Sequence, residues 1–276
     1  MKKMRTFTIA TLVLLSASIG SAQSLTGKAA DLYAKALAEG DFTSTFQSVS
    51  TEVKATSDNR SFYIRWQRSE RPTHWLVLIH GAGNPAHGFA TDEFSTWLPY
   101  VRERDMGVIA LQWWFGTGNA TSDFYTPDEI YREVSRLLEA LRIEPGTVML
   151  QGFSRGSTQT YSLKAIDTFQ GKNYFGLMVA SSGCFNSGYP PNVTLLQGGY
   201  GDRPLAGSKW VTSAGARDPD PNCDGVTGMR ATGEWLTSQG AQVLKAIEDP
   251  SYGHGALVLN GTNARMVLDL YFDLIK

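Results

Sequence analysis

The distribution of apolar and polar residues along the chain indicates alternating strands and helices. Apolar positions recur with a helical period over 26–39. They alternate residue by residue over 50–56 and 61–68, around Asp58-Asn59, which predicts an antiparallel hairpin. The continuous apolar run 75–79 is typical of a strand buried on both faces.

Further along the chain, strand-like and helical segments follow one another in turn. The strand-like segments are 107–112, 147–151, 175–180, 209–213 and 242–247, and the helical ones are 93–104, 128–142, 156–169, 226–239 and 264–275. Strands separated by helices pair in parallel, with crossover helices on both faces of the sheet. We therefore expect one α/β domain over 23–276, with a mostly parallel central sheet and the hairpin at its N-terminal edge. Only about 28 residues separate 175–180 from 209–213, too few for a large lid domain.

The first residues have the features of a secretory signal peptide. Three basic residues precede the apolar stretch 7–15, and Gly20 and Ala22 stand at positions −3 and −1 of a cut before Gln23. Residues 1–22 are therefore predicted to be removed, which places the protein outside the cell or in the periplasm. No later segment has 18 consecutive apolar residues, so we expect no membrane span after cleavage.

The composition excludes a nucleic-acid partner. Charged residues make up 18% of the chain, and removing 1–22 leaves 22 basic and 26 acidic residues, a formal charge of −4. No basic cluster remains to neutralise phosphates. At 42% hydrophobic residues, the chain can bury a large core.

The chain has two cysteines, Cys184 and Cys223. In an oxidising compartment they are expected to form a disulfide, with two buried thiols as the alternative. Four histidines, without HExxH or CxxC spacing, argue against a structural metal site.

A G-x-S-x-G motif, Gly152 to Gly156 with Ser154 at its centre, follows the strand-like segment 147–151 and precedes a helical one. This order of strand, sharp turn and helix is the context in which the motif exposes a nucleophilic serine. The small neighbours allow the strained turn. Ser154 is therefore the candidate nucleophile.

With this motif, the sequence resembles the α/β-hydrolase superfamily over nearly all of residues 50–276. His80-Gly81-Ala82-Gly83 is similar to that family's oxyanion loop. The resemblance implies that the backbone N–H groups of Ala82 and Arg155 stabilise an oxyanion.

A dinucleotide fingerprint is the competing interpretation of this loop, because Gly81-x-Gly83-x-x-Ala86 also follows a strand. Pro85 interrupts it, and no acidic residue closes the next strand at 111–112. No cofactor is expected.

The general base is sought among four histidines, His74, His80, His87 and His254. The family order of serine, acid and histidine favours His254, in a loop seven residues beyond the strand-like segment 242–247. The other three precede the serine in the chain.

The resemblance places the triad acid in the loop after 209–213. Asp218 matches the family's spacing best, while Asp220 and Asp224 remain open as alternatives or as turn residues. A disulfide through Cys223 would tether this loop to the sheet.

Aromatic residues follow the strand beside the oxyanion strand. Trp113 and Trp114 are expected to line a substrate crevice at the carboxyl edge of the sheet, unless they pack into the core. Arg155 directly follows the nucleophile, as in glucuronoyl esterases. The Gly-Lys pair of that family is replaced here by Ser157-Thr158, so the likeness is partial.

These features together predict a secreted serine hydrolase that cleaves carboxylic esters through an acyl-enzyme. Its substrate is expected to be a bulky or polymer-linked ester, such as one on a polysaccharide. One alternative is a peptidase or amidase on the same fold. The other is a binding protein with a catalytically dead hydrolase fold, which predicts a broken triad.

Overall fold

The structure, a computed structural model, describes residues 25–82 and 88–275. The signal-peptide segment 1–22 lies outside these residues, so it remains a prediction. Within the part of the chain that the structure describes, no helix is both long enough and apolar enough to cross a membrane.

Eight strands form one sheet. They are β1 (Glu52–Ala55), β2 (Phe62–Gln67), β3 (His74–Ile79), β4 (Met106–Leu111), β5 (Val148–Phe153), β6 (Phe175–Ser181), β7 (Lys209–Gly215) and β8 (Gln242–Asp249). Their order across the sheet is β1-β2-β4-β3-β5-β6-β7-β8. β2 pairs antiparallel with β1 and β4, and all other pairs are parallel. The predicted fold class, with its hairpin at one edge, is confirmed.

Helices cover both faces of this sheet. They are α1 (Gly27–Glu39), α2 (Thr43–Gln47), α3 (Ala90–Val101), α4 (Pro127–Ala140), α5 (Arg155–Phe169), α6 (Pro190–Leu196), α7 (Val226–Ser238), α8 (Ala256–Leu259) and α9 (Gly261–Leu274). α3 packs on β3 and β4 together with α1, α2, α8 and α9. α5 packs on β5 and β6 between α4 and α6, and α7 joins this layer through Trp235, which contacts Tyr161 of α5.

The apolar runs form the centre of the sheet because their strands are covered on both faces. Every residue of β4 and β5 is buried. The largest buried side chains around them are tryptophans: Trp75, Trp97, Trp113 and Trp210. The edge strand β8 instead exposes several positions.

The parallel strands bring four loops to one edge of the sheet. The loops after β3, β5, β7 and β8 carry the oxyanion segment, Ser154, Asp218 and His254. The connection from β6 to β7, which the structure describes throughout, contains only the seven-residue α6 and no lid domain.

Candidate active site

Ser154 stands at a strained turn between β5 and α5. Its backbone has φ 52° and ψ −122°, a conformation that residues other than glycine rarely adopt. Its N–H donates to the carbonyl of Ser181 on β6 at 2.8 Å, which ties the turn to the neighbouring strand. The turn leaves Ser154 partly exposed at the carboxyl edge of the sheet.

Three glycines make room for this turn. A Cβ on Gly152 would lie 2.3 Å from the carbonyl oxygen of Gly156, and one on Gly156 would lie 2.2 Å from that of Ile79. A Cβ on Gly183, after β6, would lie 2.1 Å from the carbonyl oxygen of Ser154. Local sequence patterns do not indicate the role of Gly183, because its contact with the turn is made across the sheet.

His254 lies beside the serine turn and pairs with Asp218. Its ring centroid is 4.9 Å from that of Phe153, the residue before Ser154. Its Nδ1 is 2.8 Å from Oδ2 of Asp218, whose side chain is 1% exposed. An ionised carboxylate only accepts, so Nδ1 carries the proton and Nε2 is left as the basic nitrogen.

The other two aspartates of this loop have different surroundings. Asp220 is exposed, and its Oδ1 accepts from the N–H groups of Asn222 and Cys223 at 3.2 Å, so it shapes the turn. Asp224 lies with Oδ2 3.9 Å from Nδ1 of His254 and its side chain 28% exposed. Burial, together with the charges of Asp218 and Asp220, raises the pKa of Asp224 to about 6, against the opposing effect of His254.

Asp249 at the end of β8 orders the histidine loop. Its Oδ1 accepts from the N–H groups of Ser251 at 2.8 Å and Tyr252 at 3.2 Å, and its Oδ2 from the amides of Asn260 and Asn263. Burial opposes ionisation, but these hydrogen bonds outweigh it and lower the pKa of Asp249. Sequence patterns do not indicate this role of Asp249, because its partners lie up to 14 positions further along the chain.

The acid loop and the histidine loop are joined by their backbones. Arg217 N–H donates to the carbonyl of Tyr252 at 3.0 Å, and Ala216 N–H donates to that of Asp249 at 2.8 Å. A Cβ on Gly215 would lie 2.2 Å from the carbonyl oxygen of Gly253, so only glycine allows this approach. The two loops therefore hold Asp218 and His254 as one unit.

The expected disulfide between Cys184 and Cys223 is present, with a Cα–Cα distance of 4.9 Å. The segment containing Cys184 is anchored: Ser157 and Tyr161 donate to the carbonyl of Gly183 at 2.7 and 2.9 Å. The bond thus connects the acid loop, which continues to Asp224, to a fixed part of the sheet edge.

The predicted oxyanion segment, which begins with His80, Gly81 and Ala82, follows β3 and lies against the serine turn. A Cβ on Gly81 would lie 3.4 Å from Cβ of Ser154. Ala82 comes next and is partly buried, and residues 83–87 lie outside the described residues. Arg155 is the first residue of α5, where a helix leaves its backbone N–H groups without internal partners.

His80 and Trp113 stabilise this segment through hydrogen bonds. The Nδ1–H of His80 donates to the carbonyl of Gly81 at 3.0 Å, and its Nε2 accepts from the backbone N–H of Trp113 at 3.2 Å. The indole of Trp113 donates to the carbonyl of His80 at 2.9 Å. Burial lowers the pKa of His80 to about 3, so the ring is neutral.

This arrangement is at odds with the expectation that Trp113 and Trp114 contact a substrate. Trp113 is 0% exposed, and its ring packs 4.6 Å from that of Phe124. Trp114 is also buried, and its indole N–H donates to the carbonyl of Gly118 at 3.0 Å. Both rings are part of the core because they pack against Phe124 and Phe89 just beyond the end of β4.

The side chain of Arg155 bridges two loops beside the nucleophile. Its Nη1 donates to Oδ1 of Asn119 at 2.6 Å and its Nε to the hydroxyl of Tyr189 at 3.0 Å. The guanidinium carbon lies 4.0 Å from the ring centroid of Phe124. Among the described residues, no acidic side chain pairs with it.

The described residues contain one group of side chains of metal-ligand type. Asp218, Asp224 and His254 have potential ligand atoms within 4.8 Å of one another. The Nδ1 of His254 that would serve as a ligand is engaged by Asp218. The arrangement is therefore a hydrogen-bonded Asp218–His254 pair with the Asp224 carboxylate nearby.

The fold is shared with known esterase structures. Esterase E25 superposes with a TM-score of 0.60 at 12% identity, over 98% of each chain. The brefeldin A esterase, a bacterial homologue of human hormone-sensitive lipase, gives 0.54 at 16% identity, over 88% of this chain and 84% of that one. A phospholipase/carboxylesterase from Dyadobacter fermentans gives 0.52 at 18% identity, over 76% and 95%.

The chain therefore has the α/β-hydrolase fold. No protein-family model matches it, and no curated protein matches it in sequence.

Proposed function

We propose that this protein is a secreted serine hydrolase that cleaves carboxylic esters through a covalent acyl-enzyme. The observation that carries the proposal is the buried Asp218–His254 pair beside a serine held at φ 52° on a strand-to-helix turn. This combination supports a base next to a partly exposed hydroxyl, which nucleophilic acyl transfer requires. The neighbours in fold, whose names describe esterases, support the same activity.

The reaction follows from the roles of these groups. Oγ of Ser154 attacks the ester carbonyl while Nε2 of His254 takes its proton, and Asp218 stabilises the resulting imidazolium. The backbone N–H groups of Ala82 and Arg155 hold the oxyanion of the tetrahedral intermediate. Collapse releases the alcohol with the proton from His254. His254 then takes a proton from a water molecule that attacks the acyl-enzyme, and returns it to Oγ of Ser154 as the carboxylic acid leaves.

Export and substrate size belong to the same proposal. The predicted signal peptide and the Cys184–Cys223 bond support a secreted or periplasmic enzyme. The short connection from β6 to β7 supports an open cleft suited to a bulky or polymer-linked ester.

Turnover of a panel of p-nitrophenyl, feruloyl, acetyl-sugar and polyester substrates, beside peptide and anilide substrates, tests this function. We expect ester hydrolysis that falls by about 10⁴-fold or more in Ser154→Ala, with an almost unchanged Tm. A Ser154→Ala variant that retains more than a few per cent of the activity would refute the assigned nucleophile. Faster cleavage of anilides than of esters would favour a peptidase.

A further inference from the structure

A small cavity adjoins the catalytic histidine, on the side of α3. It has a volume of about 40 Å³, and His254 and Phe153 form part of its lining. One water molecule needs about 10 to 15 Å³ on this measure, so the cavity admits a group of a few atoms. Phe42, Asp92 and Glu93 also line it.

Both carboxyl groups in this cavity are buried and incompletely bonded. Asp92 is 1% and Glu93 6% exposed. Oδ1 of Asp92 accepts from the Phe42 N–H at 3.2 Å. Oδ2 of Asp92 and Oε1 of Glu93 have no hydrogen-bond partner among residues 25–82 and 88–275. Buried acceptors without donors are rare because their desolvation is not compensated.

Helix capping accounts for only part of this arrangement. Acidic residues in the first turn of a helix such as α3 interact favourably with the helix dipole. That interaction is available at the surface, however, and does not require both carboxyls to be buried beside the catalytic base.

The surroundings of the two carboxyls are negative and aromatic. Asp41 adds a third acidic group near Asp92. The cavity lining includes no lysine or arginine, and no ion pair involves Asp92 or Glu93 within the described ranges. The rings of Phe42 and Phe153 provide an apolar wall that is compatible with a cation.

We propose that this cavity is a substrate subsite for a cationic hydrogen-bond donor, such as a primary ammonium on the acyl or alcohol part of the ester. The inference rests on the proposed function, since the cavity is a subsite only if His254 is the catalytic base. An ammonium supplies donors to the two unpartnered oxygens, Oδ2 of Asp92 and Oε1 of Glu93, and a positive charge that complements the ionised carboxyls. It also fits the small volume.

The titration of the two acids gives this subsite a pH dependence. Burial, with the charge of Asp41, raises the pKa of Asp92 to about 7, although hydrogen bonds from the backbone N–H groups of Phe42 and Asp41 oppose this shift. Burial, with the charge of Asp92, raises the pKa of Glu93 to about 8, although side-chain hydrogen bonds from Trp97 and Gln151 oppose this shift. Among the described residues of the lining, His254 is the other titratable group. A cation binds the ionised carboxyls, so its affinity should increase as the pH rises through 7 and 8.

Matched esters that differ in one terminal group test the subsite. The acyl series is ethyl 3-aminopropanoate, ethyl 3-hydroxypropanoate and ethyl butanoate, and the alcohol series is 3-aminopropyl acetate and butyl acetate, each with its uncatalysed rate subtracted. We expect the ammonium ester of one series to exceed its methyl counterpart in kcat/KM by about tenfold or more at pH 7.5. The series that shows the preference identifies which part of the ester carries the cation.

Variants test whether the two acids cause the preference. Glu93→Gln and Asp92→Asn should bring the ratio of ammonium to methyl ester towards one. Asp105→Asn, which removes an exposed acid beyond the other end of α3, should leave it unchanged. Since Ser154 and His254 act on every ester alike, the ratio separates the subsite from the catalytic machinery.

Inhibition of the unmodified enzyme provides a second measurement that needs no variant. Propylammonium should compete with ethyl butanoate with a Ki that falls between pH 6 and 9, whereas the Ki of 1-propanol should not change.

The possible failures can be told apart. Ester hydrolysis without an ammonium preference in either series, a preference for the hydroxyl ester, or a ratio unaffected by both acid variants would overturn the subsite alone. Failure to hydrolyse any ester would refute the proposed function and the subsite with it.

Discussion

The three aspartates around His254 differ at the scale of single residues, although they lie within seven positions of one another. Asp218 is buried and bonded to Nδ1, Asp224 is partly exposed at 3.9 Å from it, and Asp220 bonds backbone N–H groups instead. Sequence spacing favours Asp218 but leaves the other two open. The backbone hydrogen bonds between the loops of Asp218 and His254 bring Asp218 to the imidazole, and these contacts are not visible in the spacing.

Replacing each aspartate in turn should rank the three residues by their contribution to kcat. Asp218→Asn is expected to lower kcat by about 10⁴-fold, because an amide no longer holds the Nδ1–H tautomer or stabilises the imidazolium. Asp220→Asn keeps the turn acceptor and is the matched control, with a small effect. Stopped assays at one saturating ester concentration measure kcat for each variant. A larger loss in Asp224→Asn than in Asp218→Asn would mean that the wrong carboxylate has been assigned.

The raised pKa of Asp224 predicts a pH-dependent stability. Because the pKa is about 6 in the folded chain and 3.8 for a free aspartate, the folded state holds the proton more tightly, and stability is lost as the pH rises from about 4 to 6. Asp224→Asn removes this loss. We expect it to gain about 1 to 2 kcal/mol over the parent at pH 7 and little at pH 4. Urea unfolding across this range measures the difference, and a gain that is constant with pH would contradict the assignment.

At the scale of elements, the serine turn depends on glycines from three different segments. Gly152 and Gly156 belong to the local motif and are visible in the sequence. Gly183 comes from the end of β6, and its role depends on the pairing of β5 with β6. Local patterns therefore predict the turn but not its support.

Gly183→Ala should distort this turn. The added methyl group would meet the carbonyl oxygen of Ser154 at 2.1 Å, so the backbone must shift, and both Tm and kcat should fall. Gly233→Ala is the control: it lies in α7 with no atom within 4 Å of the new Cβ, and it should stabilise the fold by about 0.5 to 1 kcal/mol. Differential scanning calorimetry and the ester assay report the two effects. An alanine at position 183 with unchanged activity would show that the turn does not need this glycine.

Most elements were predictable because their patterns are local. The apolar run of β3 and the helical period of α4 each indicate one type of structure, and the observed elements lie within a few residues of the predicted ones. The helices that were missed are short: α2, α6 and α8 have five, seven and four residues. Helices of this length are stabilised by tertiary contacts rather than by their own period.

At the scale of the whole molecule, the site is assembled from loops that are distant in sequence. His254 and Asp218 are 36 positions apart, and their loops meet because β7 and β8 are neighbours. The roles of Asp249, His80 and the Asp92–Glu93 pair depend on such neighbours, so composition and spacing could not predict them. The disulfide was predictable, because only one pairing of two cysteines is possible.

Breaking the disulfide should affect stability and catalysis separately. The bond spans 39 positions, and closing such a loop is worth about 4 kcal/mol in the chain-entropy model. Cys184→Ser/Cys223→Ser should therefore have a lower Tm. Because the bond tethers the acid loop, kcat should also fall at temperatures where circular dichroism shows an intact fold. A double variant with unchanged Tm and kcat would mean that the tether contributes nothing.

The covalent step at Ser154 is the central claim, and labelling with an alkyl p-nitrophenyl phosphonate tests it most directly. Mass spectrometry of the intact protein should show one phosphonyl adduct that forms as activity disappears, and the digest should locate it on Ser154. Asp218→Asn should slow the labelling, and Ser154→Ala should abolish it. An adduct on another residue, or an enzyme that hydrolyses esters while remaining unlabelled, would contradict the account.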